Sequence, residues 1–480
     1  MKFELACNWD PALIDGLKGY PPVELFGGMP GSTVAGGRAS FVAPEVSEKD
    51  AENYIKAAVS AGHPFNFLLN ASCLDNREYR RDEYEKILKH IEWVAGTGAE
   101  SVTVTIPYLI QIIKKHFPSL KVNVSSWARV ETVRKAQFFE DMGADGIVLS
   151  EEINRDFRTL EAIRKAVRLK LILIANPGCL YGCPRSFYHA NVMTHGSQGG
   201  HASEGFLVDH CYFSCTKEKM KDPVELVKIR WIRPEDITDY ELIGIDCLKI
   251  IDRYKTTETL LSYLNSYSSG RFDGNLVELL NLPRKKAFLP ANLKYILRDE
   301  YINTVKLMEF ADITDYPVSE SLVLDNSKIP ANFLSFFKTK DCASSDCSEC
   351  GFCALIAKKA LTVEGEPLER LIHKYESLLD SLVSGEIYKE DKEPAVSESA
   401  WEADAAEAHR RLLESVPKIF RGTAARVIAA ELAARPGNGS SNIGVRDVFS
   451  AWMKATPAPF KKSVEEKIKE ISGAWSTTTS

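Results

Sequence analysis

Eleven cysteines occur in the 480 residues, and eight of them fall into two tight groups. Cys179, Cys183, Cys211 and Cys215 read C-x3-C, a gap of 27 residues, then C-x3-C again. Cys342, Cys347, Cys350 and Cys353 read C-x4-C-x2-C-x2-C. Four thiolates per group is the ligand count of a metal centre, and cysteine sulfur selects zinc or iron–sulfur clusters. In the first group each C-x3-C element offers two thiolates, together enough for a 4Fe-4S cluster, while zinc would accept the same four in a closed tetrahedron. In the second, Cys347, Cys350 and Cys353 are spaced to wind around one cluster in the manner of a ferredoxin, with Cys342 as the candidate fourth ligand. The ferredoxin C-x3-C-P ending is missing, as are the paired C-x2-C knuckles of common zinc sites. Iron–sulfur therefore leads, one cluster or two, with zinc as the alternative. His210, beside Cys211, reads as satisfied by backbone, with a ligand or hydrogen-bonding role as the alternative. Cys7, Cys73 and Cys247 read as small buried hydrophobes.

The disulfide alternative is weak. The cysteine count is odd, no basic-then-apolar segment follows Met1, and the chain is far longer than a disulfide-stapled secreted domain. No apolar run reaches the eighteen or so residues that a membrane span needs. These features lead us to expect a cytoplasmic protein without a membrane span. The net charge is −6, and the nearest approaches to basic runs, Arg284–Lys286 and Lys114–Lys115, are short. Nothing there advertises a phosphate backbone, so DNA is excluded, RNA is not expected, and a small-molecule substrate is the default.

Elements must position these thiols, and the first 255 residues repeat one theme. Short apolar or β-branched runs occur at 2–8, 23–28, 64–70, 101–106, 121–126, 146–150, 170–176 and 247–253. Between them lie helix-period stretches such as 82–96, 130–142 and 159–167. Eight strands, most followed by helices, predict an α/β fold, a (β/α)8 TIM-like barrel, with a long irregular stretch after the seventh strand. Active sites of such barrels gather at the carboxyl ends of the strands, where this chain places Asn8, Asn70, Ser125, Ser126, Asn176 and Asp252. The first cysteine pair begins just past the seventh strand, so a metal is expected at the barrel mouth.

Two ordered blocks carry a family resemblance. Val122–Ser126 (V-N-V-S-S), followed by Phe138–Ser150 (F-F-E-D-M-G-A-D-G-I-V-L-S), resembles the collagenase-like peptidase family U-32. Ile232–Ile237 (I-R-P-E-D-I) and Gly244–Arg253 (G-I-D-C-L-K-I-I-D-R) resemble that family's S-P-x-D-L and G-V-D-S-L-K-I-E-G-R segments. The resemblance spans roughly residues 1–290, and the first cysteine group falls where the family holds four cluster-binding cysteines. It implies a 4Fe-4S cluster on Cys179, Cys183, Cys211 and Cys215. It also implies, despite the peptidase name, oxygen-independent hydroxylation of the kind seen in relatives acting in ubiquinone biosynthesis or on tRNA and rRNA, with prephenate as oxygen donor. Two departures stand out: the cysteine spacing differs, and Ile251 and Asp252 replace the glutamate and glycine of K-I-E-G-R.

Further candidates surround this frame. The glycine-rich stretch Gly27–Arg38 follows a strand and reads as a barrel loop, with an anion nest as the alternative; Arg38 is placed to anchor an anionic substrate. Glu151 and Glu152 end the sixth strand, and Glu152 matches the family's strand-end glutamate. A carboxylate pair there can raise a pKa for acid–base work, whereas a solvated helix start is the plainer reading. Glu152, Asp252, Asn70 and Arg38 are thus the expected catalytic residues.

Boundaries are expected at 1–290 for the barrel, 291–386 for a cysteine-rich extension, 387–399 for a charged linker and 400–475 for a small all-α module. The block Trp401, Ala405, Leu412, Leu413, Pro417, Phe420, Arg421, Arg426 and Glu431–Ala434 resembles the C-terminal domain of the light-independent protochlorophyllide reductase B subunit. That implies a flat, tetrapyrrole-like substrate or an association role. The expectation is an iron–sulfur oxidoreductase, hydroxylase-like, acting on a small organic molecule with a homologous or electron-donor protein partner. A U-32-type peptidase and a non-catalytic iron–sulfur subunit are the alternatives. No H-E-x-x-H or G-x-S-x-G motif supports the peptidase.

Overall fold

The structure, a computed structural model, describes residues 1–282, 290–310, 313, 318–363, 365–389, 401–416, 421–435, 442–456 and 460–476. The eight runs expected as strands become β1 (Lys2–Ala6), β2 (Glu24–Gly27), β3 (Phe65–Leu69), β4 (Ser101–Val104), β5 (Lys121–Val124), β6 (Gly146–Val148), β7 (Lys170–Ile174) and β8 (Cys247–Ile250). They pair in parallel, each with the next, and β8 returns to β1 through Lys2↔Cys247 and Leu5↔Ile250, closing the barrel. Each observed strand is shorter than its apolar run because the run's last residues turn out of the ladder. Those residues are the ones that reach the mouth. Amphipathic helices such as Glu48–Ser60, Arg81–Gly96 and Phe157–Ala166 cover the outside, burying Ile55, Ile87, Ile91, Leu160 and Ile163 against the sheet. Among the described residues no helix is long and apolar enough to cross a membrane.

The barrel interior carries an ion network among its apolar side chains. Glu4 is fully buried and accepts from Lys170 Nζ at 2.9 Å and Lys249 Nζ at 2.6 Å. Lys170 also reaches Glu24 at 2.6 Å, Ser101 donates to Glu24 at 2.8 Å, and Thr103 donates to Asn66 at 2.9 Å. Two carboxylates face two ammonium groups, so the charges balance inside a low-dielectric wall.

Two compact units make up the chain: Met1–Arg284 with Pro317–Ile372, and Lys285–Tyr316 with His373–Ser480. The second cysteine group therefore shares its unit with the barrel, rather than standing in a separate 291–386 segment. In that unit β9 (Leu322–Leu324) and β10 (Leu361–Val363) form an antiparallel pair. The other unit contains helices Ala403–Ser415, Arg421–Ala433, Val445–Ala455 and Lys461–Ser476. Ala405, Leu412, Ile428, Leu432, Val448, Trp452 and Ile471 form their common core. Of the expected linker, the stretch 390–399 lies outside the described residues, as do Pro417 and Phe420 of the reductase-like block and all three residues of Arg284–Lys286.

Candidate metal centre at the barrel mouth

The long stretch after β7 carries the first cysteine group. Cys179 and Cys183 lie in the loop that leaves β7, and Cys211 and Cys215 lie one turn apart on helix His210–Lys221, on one face. Asp209 caps that helix, accepting from Tyr212 N at 2.9 Å, and its other oxygen meets His189 Nε2 at 2.9 Å. One turn beyond Cys215, the buried Lys219 donates to its sulfur at 3.6 Å. The thiols lie within electrostatic reach of one another: Cys183 and Cys215 act on Cys211, and Cys215 acts on Cys179. Desolvation, then Asp209, pushes the Cys211 thiol up to about 11. Cys179 has surface open to solvent, yet crowding around its sulfur, followed by the Glu151 carboxylate, pushes it up to about 12 against the pull of Lys219 and Arg129.

Among the described residues no three His, Cys, Asp or Glu side chains converge closely enough to hold a single metal ion. The cationic neighbours Lys219 and Arg129 fit an anionic group. On donor chemistry the first group fits an iron–sulfur cluster.

The strand ends place the expected catalytic residues around the same mouth. Arg38 pairs through Nη2 with Asp252 Oδ2, just past β8, and its guanidinium stands 5.7 Å from the Tyr254 ring centroid. Burial opposes the Arg38 charge, but Asp252, Tyr254 and Cys179 outweigh it and raise its pKa. Arg38 Nε is buried without a hydrogen-bond partner, and so is Asn70 Oδ1. Asn70 packs against Gly37, where an added Cβ would lie 2.8 Å from Asn70 Nδ2 and 3.0 Å from the Trp127 ring. Gly37 has φ 64°, so it is needed both for its backbone and for this close approach.

Glu152 is differently employed. Its Oε2 accepts from Gly182 N at 2.9 Å, pinning the loop between Cys179 and Cys183. Burial raises its pKa, aided by Glu151 and opposed by the Gly182 N–H, Arg129 and Arg230. Glu151 pairs with Arg129 at 3.5 Å. Glu152 thus holds the cysteine loop through Gly182, while Glu151 is paired with Arg129.

Asn8, Ser125 and Asn176 spend their polar atoms on neighbouring loops. Asn176 donates to Ile251 O at 2.5 Å and to Leu279 O at 3.1 Å. Sequence reasoning passed over Arg253. It donates to Gly36 O at 2.5 Å, and its Nη1 would be 3.1 Å from a Cβ on Gly28. The glycine-rich loop thus wraps a guanidinium. The R ending the K-I-E-G-R segment was the available signal. Lys219, at helical spacing from Cys211 and Cys215, was equally readable.

A parallel (β/α)8 barrel with a thiol-rich mouth defines the class. Residues 36–271 match the profile of peptidase family U32. Uncharacterized protease MJ1657 of Methanocaldococcus jannaschii is 28% identical over 345 residues, covering 71% of this chain and 89% of that protein. The solved structure of the U32 peptidase Mk0906 is 20% identical and covers 52% of this chain and 91% of that one, with a TM-score of 0.39. The YdjI aldolase of Escherichia coli K12 gives 14%, 51%, 91% and 0.26 for the same measures. At those TM-scores the two solved structures carry no argument about the site. By the profile match and the archaeal relative, this barrel is similar to peptidase family U32.

Proposed function

We propose that the protein is an iron–sulfur oxidoreductase that modifies a small anionic organic molecule, with oxygen-independent hydroxylation as the reaction class. The observation that carries this reading is the shared position of the first thiol group and the Arg38–Asp252 pair, since Cys179 lies within electrostatic reach of Arg38. Cys179, Cys183, Cys211 and Cys215 would hold a 4Fe-4S cluster, which when bound supplies one-electron transfer. Arg38 offers a part-buried cation, whose Nε–H has no partner, to a substrate carboxylate or phosphate, and Asp252 fixes its direction. Asn70 Oδ1, just past β3, is a further buried acceptor without a partner. Glu152 holds the cysteine loop in place, and Lys219 steadies the Cys215 sulfur. The resemblance of the helical module to the reductase domain makes flat, tetrapyrrole-like rings the first substrates to try.

The second reading is hydrolysis, for which the printed name of the archaeal relative speaks. One experiment separates the two. Anaerobic protein whose visible absorption bleaches with dithionite, and whose C211S/C215S variant is colourless, supports the redox reading. Colourless wild-type protein that cleaves gelatin or denatured collagen, equally well in that variant, overturns it.

A further inference from the structure

The second cysteine group lies near two buried guanidinium groups, Arg155 and Arg230; Arg155 stands against the Phe333 ring, which stacks 5.9 Å from Phe352, the chain neighbour of Cys353. Asp346 caps the short helix Cys347–Cys350, accepting from Ser348 N at 2.7 Å, and Gly351 at φ 63° reverses the chain into helix Phe352–Ala360. Cys350 and Cys353 therefore flank a tight turn. Cys342 and Cys347 lie within electrostatic reach of Cys353, as do the guanidinium groups of Arg155 and Arg230. Lys228 is reached from Cys347.

Arg155 is 2% exposed, and Arg230 is 5% exposed. Arg155 donates to the carbonyls of Val227 and Trp231 at 2.8 and 3.2 Å, and lies 4.1 Å from the Trp231 ring centroid and 4.9 Å from that of Phe333. Its Nε has no partner, nor has that of Arg230. The foremost negative group acting on Arg155 is the Cys353 thiol; Asp236 acts less and is already bound to Arg233 by two 2.8 Å contacts. A buried guanidinium without a counter-charge is costly, and carbonyls and aromatic faces offset only part of that cost. Asp236 and Glu152 act on these two groups without a direct ion pair, so an anion beside Cys353 would add the missing compensation.

The same pair faces the first group. Arg230 lies 3.6 Å from the ring centroid of Tyr181, which stands between Cys179 and Cys183 in the chain, and Tyr181 is reached from Cys342 and Glu152. We propose that Cys342, Cys347, Cys350 and Cys353 bind a second iron–sulfur cluster, whose negative charge is balanced by Arg155 and Arg230, with Tyr181 and Arg230 bridging to the mouth.

The test uses full-length protein purified anaerobically, as wild type, C347S/C353S and C211S/C215S. Iron, sulfide and zinc are counted per chain. A second cluster predicts that C347S/C353S loses about four irons and four sulfides and that the rest disappears in C211S/C215S. Unchanged iron in C347S/C353S overturns the proposal, as does loss of about one zinc without sulfide. Loss of iron only in C347S/C353S would support this site while sinking the mouth cluster. Should the cysteine variant fail to fold, Arg230→Gln keeps all eight thiols. Removing that cation should move the reduction potential of the second cluster to more negative values in a dithionite titration, and one unshifted titrating centre would overturn the proposal.

Discussion

Substituting Glu4 by Gln removes the charge from the centre of the barrel while keeping the shape of the side chain. Glu4 is fully buried between Lys249, 7% exposed, and Lys170, 29% exposed. Lys170 keeps Glu24 at 2.6 Å, so one ammonium group rather than two loses its carboxylate. Breaking one buried pair in this way costs about 3–5 kcal/mol, a large share of the roughly 5–15 kcal/mol that holds a typical domain folded. In urea titrations the midpoint of the barrel transition should fall with its slope unchanged. Replacing Glu4 and Lys249 together by Met should cost less than Glu4→Gln alone, because no uncompensated charge remains.

The pH dependence has a definite sign. Burial alone would raise the Glu4 pKa, but Lys249 and Lys170 outweigh it and hold it below the ordinary value. The contribution is therefore complete above about pH 4.3 and is lost as pH falls through the lower folded value. The gap between wild type and Glu4→Gln should shrink in acid. A midpoint shift equivalent to less than about 0.5 kcal/mol at pH 7 would refute the balanced-charge account of the interior.

Three further outcomes are expected. Gly178→Ala places a Cβ 2.1 Å from Asn281 O, a backbone atom, so the loop leading to Cys179 must shift; a loss of about 1–3 kcal/mol in denaturant titration and lower iron content should accompany it. Glu152→Gln weakens the charge-assisted bond to Gly182 N, which should appear as faster hydrogen exchange at Gly182 and a cost of about 1–2 kcal/mol, and unchanged exchange there would remove Glu152 from its positioning role. In the helical module Trp452 Nε1 donates to His409 Nδ1 at 3.2 Å, and burial lowers the His409 pKa. The unfolded chain then takes up the proton first, so the module's melting temperature should fall as pH drops below about 6.5, and His409→Gln should abolish that trend.

Much of the barrel was legible because each strand is a short β-branched run and period alone separates it from the helices between. The interior ion network was not, since Glu4, Lys170 and Lys249 look like ordinary polar residues within apolar runs until closure brings β1, β7 and β8 side by side. The cysteine groups were legible by spacing. Their kinship was not: Cys353 is separated from Arg155 and Arg230 by more than a hundred residues, and only the fold brings them together. Glu152 was singled out in the sequence as a candidate catalytic residue at the end of the sixth strand. Its bond to Gly182, which makes it a clamp on the loop, depends on a backbone N–H that no side-chain pattern reveals.

The account turns on whether the mouth thiols hold iron. Iron, zinc and acid-labile sulfide counted on anaerobically purified full-length protein, with and without the C211S/C215S change, test this most directly. The account predicts equal iron and sulfide, at least about four of each per chain, with about four of each lost in that variant. Stoichiometric zinc without sulfide, or iron unaffected by the change, would contradict it.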